Sequence, residues 1–272
     1  MKKYFTIAAA LTLTAIAVVV YSCKRDEIDT ETLSATDNSL CEAEFTRIFP
    51  EVNSLAINEE GVQRNGIPPI FQSLCPRDSV DPADTLDGFP VTLYMDYGTG
   101  CAGTDGKVRK GMIRAVFYQS WDNPVDTVDI FLDNYFVNGI QYEGTIRIIK
   151  NQNTYRQIVT NGKCKKSTWN ILWGCDRTFE WLDNGTPLDP SDDTFKVRGT
   201  ADGTNREGKT FEVQINSTDP LVRPRTCAWI TKGIMELTPE GKSKRIIDFG
   251  NGNCDNKATI TIDGNKFQFD LN

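Results

Sequence analysis

The sequence predicts a mainly β protein: an antiparallel meander forming a sandwich or an extended curved sheet, with one short N-terminal helix. Three observations carry this expectation. From Val91 onward the chain breaks into short alternating apolar and polar segments separated by turn dipeptides, the pattern of successive antiparallel strands. Helical apolar spacing is almost absent from that region, which argues against alternating strands and helices. Asn138-Gly139 lies between Tyr135 to Val137 and Ile140 to Tyr142, and these two residue types best tolerate the positive φ angles of a tight hairpin turn.

In chain order, the first element is a leader. Lys2 and Lys3 precede an uncharged run from Tyr4 to Tyr21 that ends at Ser22-Cys23. A basic start, an apolar middle and small residues before the cut mark a secretory signal, expected to be removed over residues 1–22. The competing reading is an uncleaved anchor, because the run reaches the lower edge of spanning length. Its Ala and Thr content, and the cysteine directly after Ser22, favour cleavage. Residues 23–36 are polar and are expected to form a flexible tether.

Within residues 37–89, Ser39-Leu40-Cys41-Glu42 has the form of a capping box. Phe45, Ile48, Phe49 and Val52 follow at helical spacing, which predicts a helix near residues 39–55. The stretch 58–89, rich in Gly, Pro, Asn and Asp, reads as a linker. A β domain is expected over 90–272, with strands near 91–97, 109–118, 126–134, 141–149, 154–160, 167–173, 177–182, 194–200, 209–216, 227–237, 243–249, 257–262 and 266–271. The turn-rich interruption near 183–193 suggests a sub-boundary between two sheets.

The chain contains no histidine. Ser-His-Asp and Cys-His chemistry is therefore excluded, as are histidine-based zinc sites. No Cys-x-x-Cys pair and no glycine-rich phosphate loop is present, so no metal or other cofactor is expected. From residue 23 onward the chain carries 28 Lys plus Arg against 37 Asp plus Glu, a net charge of −9, because the leader contains two lysines and no acid. Nucleic acid is not an expected partner, since such affinity rests on neutralising phosphates with cations.

Seven cysteines follow Cys23, namely Cys41, Cys75, Cys101, Cys164, Cys175, Cys227 and Cys254. Export implies an oxidising compartment in which some of them pair, and an odd number leaves at least one over. If residues 166–174 form one strand, Cys164 and Cys175 lie beyond its ends, some 36 Å apart at about 3.3 Å per residue, too far to bond. Cys227 and Cys254 are expected to bond across a hairpin turning at Pro239-Glu240-Gly241-Lys242. Setting Thr238 opposite Ser243 places Glu236 against Arg245, Ile234 against Ile247, Trp229 against Gly252 and Cys227 against Cys254. A bulge in Gly250-Asn251-Gly252 could shift that register.

Asp96-Tyr97-Gly98-Thr99-Gly100-Cys101 and Asp248-Phe249-Gly250-Asn251-Gly252-Asn253-Cys254 look like one motif used twice, and their glycines predict a bulge or tight corner. A calcium loop would need more carboxylates than these supply. Trp169, Ile171 and Trp173 share one face of a strand, followed by Phe179 and Trp181. They could form an exposed platform for sugar rings or simply belong to the core, and the core is favoured. Glu180, Asp183, Asp189, Asp192 and Asp193 are the densest acidic group near aromatics, the one starting point for a carboxylate-only enzyme. The expectation is a non-enzymatic binding or interaction module. A structural subunit or spacer of a surface assembly is the alternative, and a carboxylate-only glycan-active enzyme the next.

Val20-Tyr21-Ser22-Cys23 resembles the lipobox of bacterial lipoproteins, which implies acylation of Cys23. Lys24-Arg25-Asp26-Glu27 resembles the export tag of surface lipoproteins in the Bacteroidetes. The two glycine motifs and Asp133-Asn134-Tyr135-Phe136-Val137-Asn138-Gly139 look like segments of uncharacterised β-rich lipoproteins from that phylum. This resemblance implies a protein lipid-anchored in the outer membrane and surface-exposed, with the membrane as a partner; the aromatic residues are what suggest a glycan or surface protein as another. It carries no activity and no catalytic residue. Asp78-Ser79-Val80, Asp84-Thr85-Leu86 and Asp126-Thr127-Val128 also fit the short pattern that such bacteria O-glycosylate.

Overall fold

A computed structural model describes residues 29–58, 75–81, 88–103, 105–182 and 192–271. One helix, α1 (Leu33–Asn58), precedes fourteen strands: β1 (Arg77–Asp81), β2 (Val91–Ala102), β3 (Val108–Phe117), β4 (Val125–Val137), β5 (Ile140–Asn151), β6 (Thr154–Lys166), β7 (Trp169–Leu182), β8 (Thr194–Thr204), β9 (Thr210–Ile215), β10 (Leu221–Pro224), β11 (Lys232–Pro239), β12 (Arg245–Asn251), β13 (Lys257–Ile262) and β14 (Asn265–Asp270). All belong to a single antiparallel sheet whose order follows the sequence, except that β9 and β10 share one position between β8 and β11. The fold is mainly β, as the sequence predicts. The sheet continues through β7 and β8, so the interruption at 183–193, of which 183–191 lie outside the described residues, does not separate two sheets.

The sheet curls around α1. The helix is touched by Arg109 on β3, Tyr135 on β4, Gln157 on β6, Trp173 and Arg177 on β7 and Met235 on β11, and Arg245 on β12 reaches Glu31 just before it. Of residues 33–56 none is fully exposed. Burial on every side explains a helix without a polar face: its polar side chains meet polar partners on the strands instead. Phe45 stacks on Trp173 with ring centroids 5.3 Å apart, and Phe49 sits among Tyr155, Phe179 and Phe195.

The helix starts six residues before the predicted capping box, and Ser39 lies within it. The cap is Glu31, whose Oε1 accepts the Ser34 N–H at 2.7 Å. The segment expected to be a tether is therefore ordered from Glu31. Polar residues there and just beyond it are paired: Ser34 with Asn205, Glu31 with Arg245, and Asp37 with Arg206. Strand β1, inside the expected linker, pairs with β2. The segments predicted at 167–173 and 177–182 are one strand, β7, and β10 was not foreseen.

Asn138 and Gly139 have φ angles of 47° and 77° and turn β4 into β5 with Val137 opposite Ile140, as expected. Both glycine motifs form the predicted irregularity. Asp96 Oδ1 accepts the Gly98 N–H at 2.7 Å, Asp248 Oδ1 accepts the Gly250 N–H at 2.9 Å, and all four motif glycines have positive φ. Each motif ends in a bonded cysteine: Cys101 with Cys75, and Cys254 with Cys227.

The Cys227–Cys254 Cα separation is 5.7 Å, but the register that suggested this pair is off by one. Leu237 faces Arg245, Glu236 faces Ile246 and Met235 faces Ile247. Met235, Leu237, Arg245 and Ile247 all point inward, so inward residues oppose inward residues, and Arg245 turns to Glu31 rather than Glu236. Glu236 pairs with Lys244 instead. An irregularity between Lys232 and Ile234 shifts the strands, and Trp229 lies outside any strand. The premise for Cys164 and Cys175 also fails. Ser167-Thr168 is a hairpin turn, and the two cysteines stand on neighbouring strands opposite Ile171 and Val159; they are not bonded to each other.

Candidate functional site

Trp169, Trp173 and Trp181 all lie on the inward face of β7. Trp173 is 3% exposed and donates its indole N–H to Asn38 Oδ1 at 2.9 Å. Trp169 is covered by the Arg206 guanidinium, 4.6 Å from the ring centroid, and Trp181 is half-buried beside Tyr155. They form no exposed platform. In the acidic group, Glu180 points outward and pairs with Arg198, Asp193 is buried, and Asp183 and Asp189 lie outside the described residues. Cys23 and Thr85 also lie outside them, whereas Ser79 is exposed on β1 and Thr127 half-buried on β4. No described helix is long and apolar enough to cross a membrane.

A different site emerges where the second half of α1 meets β2, β3 and the segment from Arg223 to Ala228. A cleft of about 480 Å³ is lined there by four arginines, Arg47, Arg109, Arg223 and Arg225, together with Tyr97 and Phe195. Cys75 and Cys227 also line it, so both disulfides brace its rim. Such a volume suits a small ligand or one end of a polymer.

Glu44 on α1 organises the floor. Its carboxylate accepts from Arg47 at 3.1 Å, from Arg109 at 3.0 Å and from the Tyr135 hydroxyl at 2.5 Å. Burial alone would raise its pKa, but the charges of Arg47 and Arg109, with these hydrogen bonds, hold it at about 2. Its charge therefore supports the fold at neutral pH, and that support is withdrawn only as the pH falls below the ordinary carboxylate range. Asp105 also holds Arg109 through two hydrogen bonds, at 2.6 and 2.8 Å. Arg47 pairs further with Glu51.

Arg223 differs. Its hydrogen bond goes to the neutral Thr46 hydroxyl at 2.9 Å, and among the described residues it has no carboxylate partner. Burial pushes its pKa down to about 10, and the nearby Arg47 charge adds to this, so it remains a cation held in an unfavourable place. The Tyr97 hydroxyl, on a side chain 4% exposed, is buried beside the Arg47 guanidinium. A guanidinium without a carboxylate partner on this cleft is suited to an oxyanion, which guanidinium groups grip through paired N–H donors.

A wider open groove of about 1470 Å³ crosses the outer face over β6–β9 and β11. Its charges are mixed, Lys244 and Glu236 pair within it at 2.8 Å, and among the described residues no buried unsatisfied polar side chain lines it. Sequence reasoning missed the cleft because its arginines are scattered over α1, β3 and β10. The faint local signal was Arg223-Pro224-Arg225, two cations fixed around a proline.

No family model matches the chain, and neither a curated protein nor a solved structure matches it.

Proposed function

We propose that the protein is a lipoprotein anchored in the outer membrane through acyl chains on Cys23, exposed at the cell surface, and that it binds an acidic glycan in the arginine-lined cleft without transforming it. The observation that carries the ligand class is Arg223, a cation at the cleft with no carboxylate partner among the described residues. A carboxylate or sulfate of such a glycan would meet the Arg223 guanidinium through paired N–H donors. The sequence features for export and lipidation carry the address.

Titration calorimetry with trigalacturonate and with its neutral galactose counterpart tests the ligand class. The acidic trimer is expected to bind and the neutral one not. Arg223→Gln, which leaves no acid unpaired, should weaken binding at least about tenfold, the scale of one lost charged hydrogen bond. Equal binding of both trimers, no binding of either, or an unaffected Arg223→Gln variant would overturn the reading.

The address is tested separately by fractionation. Cys23→Ala should move the protein from the membrane pellet to the soluble fraction after alkaline wash, because two or more acyl chains are what make anchoring stable. Retention in the pellet would show that acylation is not the anchor.

A further inference from the structure

Cys41 on α1 and Cys164 on β6 face each other across the interface between helix and sheet. Both are fully buried, and their sulfur atoms are 2.6 Å apart. Carbon atoms in contact settle at about 3.5–4.0 Å, and sulfur is larger, so two separate thiols cannot rest at this distance. A bonded pair, at about 2.05 Å, can be reached with a closure of roughly half an ångström. Each cysteine is fixed independently of the other. Cys164 lies in the ladders with Tyr142 and Ile171, while Phe45, one turn along from Cys41, is stacked on Trp173.

Nothing around the pair suits another role. Among the described residues no cluster of cysteines and carboxylates could hold a metal ion. Burial, together with Cys164, Asp37 and Glu42, raises the Cys41 thiol well above its usual pKa, which disfavours the thiolate that nucleophilic chemistry needs.

We infer that Cys41 and Cys164 form a third disulfide, which ties the central helix to the sheet and leaves Cys175 as the single reduced cysteine after Cys23. In the reaction each thiol gives up a proton, one sulfur–sulfur bond forms, and two electrons pass to a disulfide-bearing oxidant, such as oxidised glutathione or an exported thiol–disulfide oxidoreductase. The oxidant is released as two thiols after a mixed-disulfide intermediate. Because both sulfurs are buried in the folded protein, the exchange takes place before the sheet encloses the helix.

The test is a cysteine map of the full chain refolded in a glutathione redox buffer until Cys75–Cys101 and Cys227–Cys254 are bonded, then denatured and alkylated with iodoacetamide. Among the seven cysteines from Cys41 to Cys254, only Cys175 should be alkylated, and the peptides holding Cys41 and Cys164 should run as one linked species until reduced. In a Cys41→Ser variant Cys164 should become alkylated as well. Alkylation of both Cys41 and Cys164 in the unaltered chain, or a Cys164 that stays blocked in the variant, would overturn the inference.

Discussion

Glu42→Gln is expected to lower the unfolding free energy by about 3–5 kcal/mol, the usual cost of stranding one member of a buried ion pair. Glu42 and Arg177 are 3% and 0% exposed and joined by two hydrogen bonds, at 3.1 and 2.7 Å. The remaining donor of Arg177, Nη1, is satisfied by the Gly199 carbonyl at 2.7 Å. Neutralising the carboxylate leaves a guanidinium in the core with no countercharge. The double variant Glu42→Leu with Arg177→Met removes both desolvation costs and is expected to return to within about 2 kcal/mol of the parent. Denaturant titrations of the two single variants and the double variant measure this directly. A single-variant loss below about 1 kcal/mol would mean that the pair is hydrated and the helix less enclosed than described.

Phe49→Ala should cost a similar amount, about 3–5 kcal/mol, by leaving a cavity where the helix meets three strands. The Phe49 ring lies 4.7 Å from Tyr155, 5.2 Å from Phe179 and 5.8 Å from Phe195, so one side chain links β6, β7 and β8 to α1. The denaturation midpoint should fall with an unchanged slope, and the near-ultraviolet circular dichroism should lose intensity as three aromatic neighbours gain freedom. An effect under about 1 kcal/mol would contradict the insertion of this helix into the sheet, because surface substitutions have effects of that size.

The strands were legible because their information is local. Alternation gives each strand, and turn residues such as Asn138-Gly139 give each reversal. Helix α1 was only half legible. Its apolar spacing at Phe45, Ile48, Phe49 and Val52 marks one face, but the residues before Ser39 look like a solvated tether until Arg206, Asn205 and Arg245, more than 160 residues away, arrive to pair with them. The register of β11 and β12 failed for the same reason. Arg245 looks like a partner for Glu236 on a surface, and only the distant Glu31 reveals that it points inward. The cleft left only Arg223-Pro224-Arg225 as a local trace, since Arg47, Arg109 and Arg223 are brought together by the curl of the sheet.

The enclosure of α1 also has a kinetic consequence. Each strand pairs mostly with its neighbour in sequence, so the hairpins can close quickly, whereas the contacts of α1 span 135 residues to Arg177 and 197 to Met235. The helix, made before the strands, is thus last to find its full set of partners, and β11 is among them. Until then its apolar residues, Phe45, Ile48, Phe49 and Val52, have no lasting cover. During that interval this stretch is where the unfinished chain is most exposed to aggregation.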